Sequence, residues 1–244
     1  MSGFTYYLSR LKELGIKKSI ELFKYNFLNL PKKYYSEWGE DILLSGYCKK
    51  EKGFFVDIGA YHPKRASNTC NFYRKGWSGI NIEPNPFTIK SFRRQRKRDI
   101  NLNLGVSDVK GELDYFVYSK RGLGNTFSIG RNQLVHDDNG AKATVLKINV
   151  DTINNILNTF LPFGVQIDFL TIDVEGLELT ILKSLDYEKF SPNLILVEDL
   201  FFYDQDMDIL DYHKSELYTF LKSKNYILVG KTWYTLLFKK IKIL

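Results

Sequence analysis

The octapeptide Phe54-Phe55-Val56-Asp57-Ile58-Gly59-Ala60-Tyr61 decides the fold. Three apolar residues lead into an acid, and a lone glycine follows two positions later. Such a run reads as a short buried strand ending in a tight turn. The glycine lets a ligand approach the backbone closely. In open α/β sheets, ligands bind beyond the carboxyl ends of the strands. Taken alone, the octapeptide also fits a core strand followed by an ordinary glycine turn. Further stretches weigh against that reading. Gly79-Ile80-Asn81-Ile82-Glu83, a strand from Ile100 to Val106 followed by Ser107-Asp108, and Phe169-Leu170-Thr171-Ile172-Asp173 all end in polar or acidic tips. Together these tips describe one crevice.

Upstream of the octapeptide, Ser36-Glu37-Trp38-Gly39-Glu40-Asp41 opens a helix to about Cys48. Ser36 is the expected N-cap, and the acids suit the first turn. Downstream, His62-Pro63 makes a rigid bend and Ser67-Asn68-Thr69 supplies a helix cap. That helix runs through Tyr73 and ends at Gly76. After the second strand, Pro84-Asn85-Pro86 forces a turn into a basic helix over 87–97.

The segment at about 109–150 breaks the alternation. Leu113, Tyr115, Val117, Val145 and Ile148 suggest short antiparallel strands. Between them lie Gly122 to Ser128 and the polar loop His136-Asp137-Asp138-Asn139-Gly140. A long polar insertion beside a crevice is commonly functional, and this one is expected to set substrate specificity. Asp151 is expected to cap a helix to about Phe160, and Gly176-Leu177-Glu178 to start another. A fifth strand, Leu194 to Val197, ends in Glu198-Asp199. Phe201 to Tyr212 reads as a lid or loop, with a helix from about His213 to Lys222 behind it. Tyr226 to Val229 and Tyr234 to Phe238 close the sheet as an antiparallel edge.

The 244 residues suit one α/β domain over 34–244 with an extension over 1–33. Apolar content of 44% and charged content of 26% fit a soluble globular protein. No apolar run reaches the ~18 residues that span a bilayer, and the N-terminus shows no signal-peptide pattern. Cys48 and Cys70 follow no metal-ligand spacing and read as free thiols in a reducing compartment. A cytoplasmic location is expected. Much of the net charge of +7 lies in the extension, where Arg10, Lys12, Lys17, Lys18, Lys24, Lys32 and Lys33 face only Glu13 and Glu21. A second basic run is Arg93, Arg94, Arg96, Lys97 and Arg98. Such runs serve nucleic acid, anionic lipid or acidic substrates, or are simply solvated helix faces. The extension also carries two apolar stripes at helical spacing, Phe4-Tyr7-Leu8-Leu11 and Ile16-Ile20-Phe23-Phe27. They are expected to cover the domain, to pack in a homodimer, or to contact the inner face of a membrane peripherally.

The crevice suits a nucleoside. Glu83 follows Asp57 at an interval near the ~20 residues of nucleotide-binding βαβ units, where an acid accepts both ribose hydroxyls. The three-glycine dinucleotide fingerprint and the phosphate-loop signature are both missing, which points to a nucleoside without a pyrophosphate. S-adenosylmethionine is the expected ligand.

The stretches Val56-Asp57-Ile58-Gly59-Ala60, Gly76 to Pro86, Val106-Ser107-Asp108 and Ile172-Asp173-Val174-Glu175-Gly176-Leu177-Glu178 resemble the FkbM-type methyltransferases. Ser36 to Asp41 is similar to a segment that often precedes that domain. The resemblance spans about residues 36–240. It implies a Rossmann-like seven-strand methyltransferase sheet and O-methylation, frequently of sugars. It implies cofactor contacts at Asp57, Gly59, Ala60, Tyr61, Glu83 and Pro84, at Ser107 and Asp108 near the adenine, and at Asp173 and Glu175 near the methyl group. Ser67, Asn68 and Thr69 are placed at the amino-acid end.

A sugar hydroxyl needs a base or a metal to activate it. Asp173 is the first candidate base, with His62 and Glu198 as further catalytic candidates. Asp173, Glu198 and Asp199 are the candidate ligands for a hard cation such as Mg²⁺. The expected acceptor is a glycan or sugar-containing small molecule. A natural-product acceptor and a noncatalytic cofactor-binding scaffold stand as alternatives. The +7 charge raises a nucleic-acid methyltransferase as another, but no nucleic-acid-binding motif and no Asn-Pro-Pro-aromatic tetrapeptide occur.

Overall fold

The computed structural model describes residues 34–119, 125–127, 143–202 and 212–241. The extension at 1–33, most of the insertion's polar loops and most of the expected lid lie outside the described residues. In chain order the elements are α1 (Glu40–Tyr47), β1 (Phe54–Ile58), α2 (Cys70–Arg74), β2 (Ser78–Ile82), α3 (Ile89–Gln95), β3 (Ile100–Leu102), β4 (Gly105–Ser107) and β5 (Gly111–Val117). Then come β6 (Thr144–Thr152), α4 (Ile153–Phe160), β7 (Phe169–Ile172), α5 (Glu178–Ser184), β8 (Leu194–Glu198), α6 (Glu216–Ser223), β9 (Tyr226–Thr232) and β10 (Thr235–Lys240).

Seven strands form one sheet in the order β3-β2-β1-β7-β8-β10-β9. The first five are mutually parallel. Only β10 runs against the rest, because it pairs antiparallel with both β8 and β9. The expected mixed sheet with an antiparallel edge is therefore present. Strand order reverses between β1 and β7, and such a switch point opens a crevice at the carboxyl ends of the strands.

Every residue of β1, β7 and β8 is buried. Alternation sorts their side chains onto two faces. Val56, Ile58, Leu170, Ile172, Ile195 and Val197 face a core completed by α4, α5 and α6. Phe55, Phe169, Leu194 and Leu196 face a second core with Leu44, Phe72 and Trp77. There Phe169 packs against Phe72 at 4.7 Å and Phe55 at 5.6 Å between ring centroids. Cys48 and Cys70 are free thiols. Among the described residues no helix is long and apolar enough to cross a membrane.

Several local expectations need correction. Ile100 to Val106 is not one strand. The chain leaves the main sheet at Asn103, whose amide donates to the Glu83 and Pro84 carbonyls at 3.0 and 2.8 Å. It re-enters a second, three-stranded sheet as β4, parallel to β6, with β5 antiparallel on the far side. The β5–β6 pair is the antiparallel insertion read from the sequence. Ser36 does not cap α1, because its hydroxyl and Asp41 bind each other across a bend, at 2.9 and 3.3 Å. The helix starts after Gly39, which is left-handed at φ 90°. Thr152, not Asp151, caps α4, and Ser215 caps α6, with His213 in a preceding 3-10 turn.

Candidate active site

The switch point holds a cavity of about 390 Å³, a size suited to a small-molecule ligand. The tips of β1, β2, β7 and β8 line it with Asp57 to Tyr61, Ile82 to Asn85, Asp173 to Glu175, and Glu198. Four described non-glycine residues have positive φ: Tyr61, Ala66, Glu175 and Asn225. The first three line the cavity. Backbone strain of this kind collects where a site is shaped for a ligand.

The β1 turn is fixed from both sides. Gly59 and Ala60 donate their N–H groups to the Ile82 carbonyl at 3.0 and 3.1 Å. Gly59 has φ 79°, and a Cβ there would lie 1.7 Å from the Asp173 carbonyl oxygen. The turn thus lets the ends of β1 and β7 touch through backbone.

Glu83 is buried at the tip of β2. The Tyr61 N–H donates to its Oε2 at 2.7 Å and the Asn85 N–H to its Oε1 at 2.8 Å. The Thr88 hydroxyl adds a weaker hydrogen bond, and the carboxylate keeps acceptor capacity beyond these three donors. Burial pushes the Glu83 carboxyl up to about 7, against the pull of those backbone donors.

Asp57 sits on a buried polar relay. Its Oδ2 accepts the Thr69 hydroxyl at 2.7 Å, and Thr69 accepts from the Arg96 guanidinium at 2.8 Å. Arg96, 1% exposed, is paired with Asp99 at 2.9 Å and lies over the Tyr73 ring. Burial raises Asp57 to about 6, while Thr69 and Arg96 oppose the rise.

A family comparison matches residues 57–228 to the Methyltransferase FkbM domain. The chain belongs to the FkbM methyltransferase family. A comparison with curated proteins finds no match.

The methyltransferase's β7 and β8 tips carry its most unusual carboxyl. Asp173 is open to the cavity yet surrounded by protein. Burial and the neighbouring charges of Glu175 and Glu178 hold it well above the usual carboxylate range, and a carboxyl-to-carboxyl hydrogen bond from Glu198 opposes the rise. Carboxyls this close disfavour the doubly ionised state. Asp173, Glu178 and Glu198 each offer one oxygen within 4.8 Å of the others. Glu178, however, already accepts from the Val174 and Gly176 N–H groups at the start of α5.

The cavity gathers Asp57, Gly59, Ala60, Tyr61, Asn68, Glu83, Pro84, Asp173, Glu175 and Glu198, as read from the sequence. Others fall elsewhere. Asn68 lines the cavity and holds Thr171, but Ser67 and Thr69 are buried behind the wall, where Ser67 caps Cys70 and Thr69 holds Asp57. Ser107 bonds Asp108 and neither lines the cavity; the wall there is Leu104, Gly105 and Val106, one step earlier in the chain. The reason is the break at Asn103, which turns β4 into the second sheet. His62 does not line the cavity. Its Nδ1 accepts the N–H groups of Lys64 and Arg65. Asp199 points away from Asp173 and accepts from the Ser215 hydroxyl and the Phe201 N–H. It drops out of the carboxylate cluster, which Glu178 completes instead.

Sequence reasoning missed Glu37, Trp38, Glu40, Tyr234, Tyr115, Asn125 and Phe127 as lining residues. The insertion delivers the last three, with the Tyr115 and Phe127 rings 4.7 Å apart. A signal was available at Glu37-Trp38, where a large aromatic precedes a left-handed glycine in a polar bend.

Proposed function

We propose that this FkbM-family chain is an S-adenosylmethionine-dependent O-methyltransferase acting on a sugar hydroxyl of a glycan or its precursor. The observation that carries the reading is Glu83, an acid at the β2 tip with both oxygens anchored and further acceptor capacity toward the cavity. A ribose diol offers two donors to match it. Asp57 and Asn68 supply polar groups for the amino-acid end, and the Tyr115–Phe127 pair supplies an aromatic wall for a purine. When bound, S-adenosylmethionine supplies a methyl group on a sulfonium, which departs as a neutral thioether.

The chain's own task is to orient the acceptor, exclude water and take one proton. The Asp173–Glu198 pair can take the acceptor hydroxyl's proton as its oxygen bonds the methyl carbon, because repulsion between neighbouring carboxylates makes the ionised pair readier to accept a proton. A metal-assisted version has its own support in the Asp173, Glu178 and Glu198 cluster, whose oxygens suit a hard cation such as Mg²⁺. Calorimetry with S-adenosylmethionine and methyl-transfer assays with labelled cofactor and bacterial glycan acceptors test the proposal. Absence of cofactor binding sinks it. Full turnover after exhaustive chelation leaves the proton-taking pair and removes the metal.

A further inference from the structure

A stacked pair of large aromatic side chains remains exposed where Trp38 borders the cavity. Trp38 lines the cavity and is 50% exposed; Trp233 is 49% exposed. Their rings stack at 5.4 Å with 21° between planes. They come from opposite ends of the domain: Trp38 from the bend before α1, Trp233 from the turn between β9 and β10. Buried Glu40 joins those segments. It accepts the Trp38 N–H at 2.9 Å and the Thr232 hydroxyl at 2.5 Å. The Trp38 indole also hydrogen-bonds the Tyr234 phenol, which lies close enough to feel the charges of Glu37, Glu198 and Asp173. Burying a carboxylate to hold two water-exposed indoles beside the carboxyl pair is costly for stability. Exposed aromatic surface held in place beside a polar cavity marks a binding surface.

We propose that Trp38 and Trp233, with Glu37 and Tyr234, form the acceptor subsite, a stacking platform for the ring of a neutral carbohydrate. The inference rests on reading the cavity as a methyl-transfer site. An indole face meets the apolar C–H face of a pyranose, and a rim carboxylate such as Glu37 accepts ring hydroxyls. The acids Glu37, Glu40, Asp173 and Glu198 repel phosphate, which selects a neutral ring over a nucleic-acid backbone or a charged sugar phosphate at this position. The hydrogen bonds that Glu40 accepts from Trp38 and Thr232, and the one between Trp38 and Tyr234, keep the platform formed before the acceptor arrives, so less ordering is required on binding.

Saturation-transfer NMR on the full chain saturated with S-adenosylhomocysteine tests this. The probes are the methyl pyranosides of glucose, galactose, mannose and rhamnose, with tetramethylammonium as a cationic competitor. The expected result is transfer to the C–H face of at least one pyranoside. Its affinity falls roughly tenfold in Trp38→Ala and Trp233→Ala and survives in Trp38→Phe. S-adenosylhomocysteine affinity, read by calorimetry on each variant, stays at the wild-type value and reports an intact fold. Transfer that persists in both alanine variants overturns the platform. So does transfer from no pyranoside, or displacement of the sugar by tetramethylammonium. If wild-type chain fails to bind S-adenosylhomocysteine, the methyl-transfer reading falls and takes the platform with it.

Discussion

At the residue scale, Glu83 does two jobs that oppose each other. It must be ionised to accept two hydroxyl donors, yet burial favours its neutral form, with a carboxyl raised to about 7. Between its ordinary value of 4.5 and about 7, the folded chain holds a proton that the unfolded chain has lost. The unliganded protein is therefore expected to lose stability from this group as pH rises across that window, with no further loss above it. Asp57, raised to about 6, adds a loss of the same sign at lower pH. Ligand affinity should move the other way. Binding of S-adenosylhomocysteine should tighten as pH climbs through about 7 and release a proton, seen as buffer-dependent heat in calorimetry. Affinity that is flat across this range would remove Glu83 from the ligand. Replacing the acid gives the matching result. Glu83→Gln should weaken binding by about 1.5–3 kcal/mol, the worth of a charge-assisted hydrogen bond, and flatten the thermal-stability slope.

At the scale of elements, the turn after β1 carries the design, and Gly59 carries the turn. Alanine there meets two obstacles: the left-handed φ of 79°, and a carbonyl 1.7 Å from the new Cβ. The obstructing atom is backbone at the end of β7, so no rotamer relieves it. Gly59→Ala should cost on the order of 1–3 kcal/mol from overpacking alone, with strain added, and pull β1 and β7 apart at the ligand end. A fall in thermal midpoint together with lost cofactor binding is the expected outcome; wild-type values for both would refute this account of the turn. The same stretch shows why much of the fold was legible. Short apolar runs with acidic tips at Asp57, Glu83 and Asp173 mark buried parallel strands whatever the loops do. The failures lie where side chains, not periodicity, decide. Asn103 spends its amide on two carbonyls and turns an apparent single strand into two. Ser36 binds Asp41 across a bend and leaves the start of the helix to Gly39. Asp199 follows Glu198 directly, but alternation sends adjacent side chains to opposite faces, and Ser215 waits on the other one. The aromatic rim was hidden because Trp38 and Trp233 meet only through the tertiary fold.

At the scale of the whole molecule, the question is what residues 1–33 contribute. The domain that carries the sheet begins at Tyr35, and its described core runs from Leu44 to Phe238. Both apolar clusters of the sheet, and every described lining residue of the cavity, come from Glu37 onward. A chain starting at residue 34 should therefore fold and bind S-adenosylhomocysteine with wild-type affinity. We propose that the extension's apolar stripes serve packing, in a homodimer or over the domain, and not membrane attachment. The stripes and the basic residues make competing demands. Each basic residue near an anionic surface contributes ~1 kcal/mol, less as salt rises, which favours a membrane at low salt. An apolar stripe buried in protein cannot also enter lipid, and two stripes in so short a segment give protein packing the larger contribution. The intact protein should then stay in the supernatant with anionic liposomes at low salt. Removing 1–33 should halve the mass in light scattering or lower the thermal midpoint at unchanged mass. Sedimentation of the intact chain with liposomes, abolished by the deletion while mass and midpoint hold, would reverse the assignment and make the extension a membrane contact.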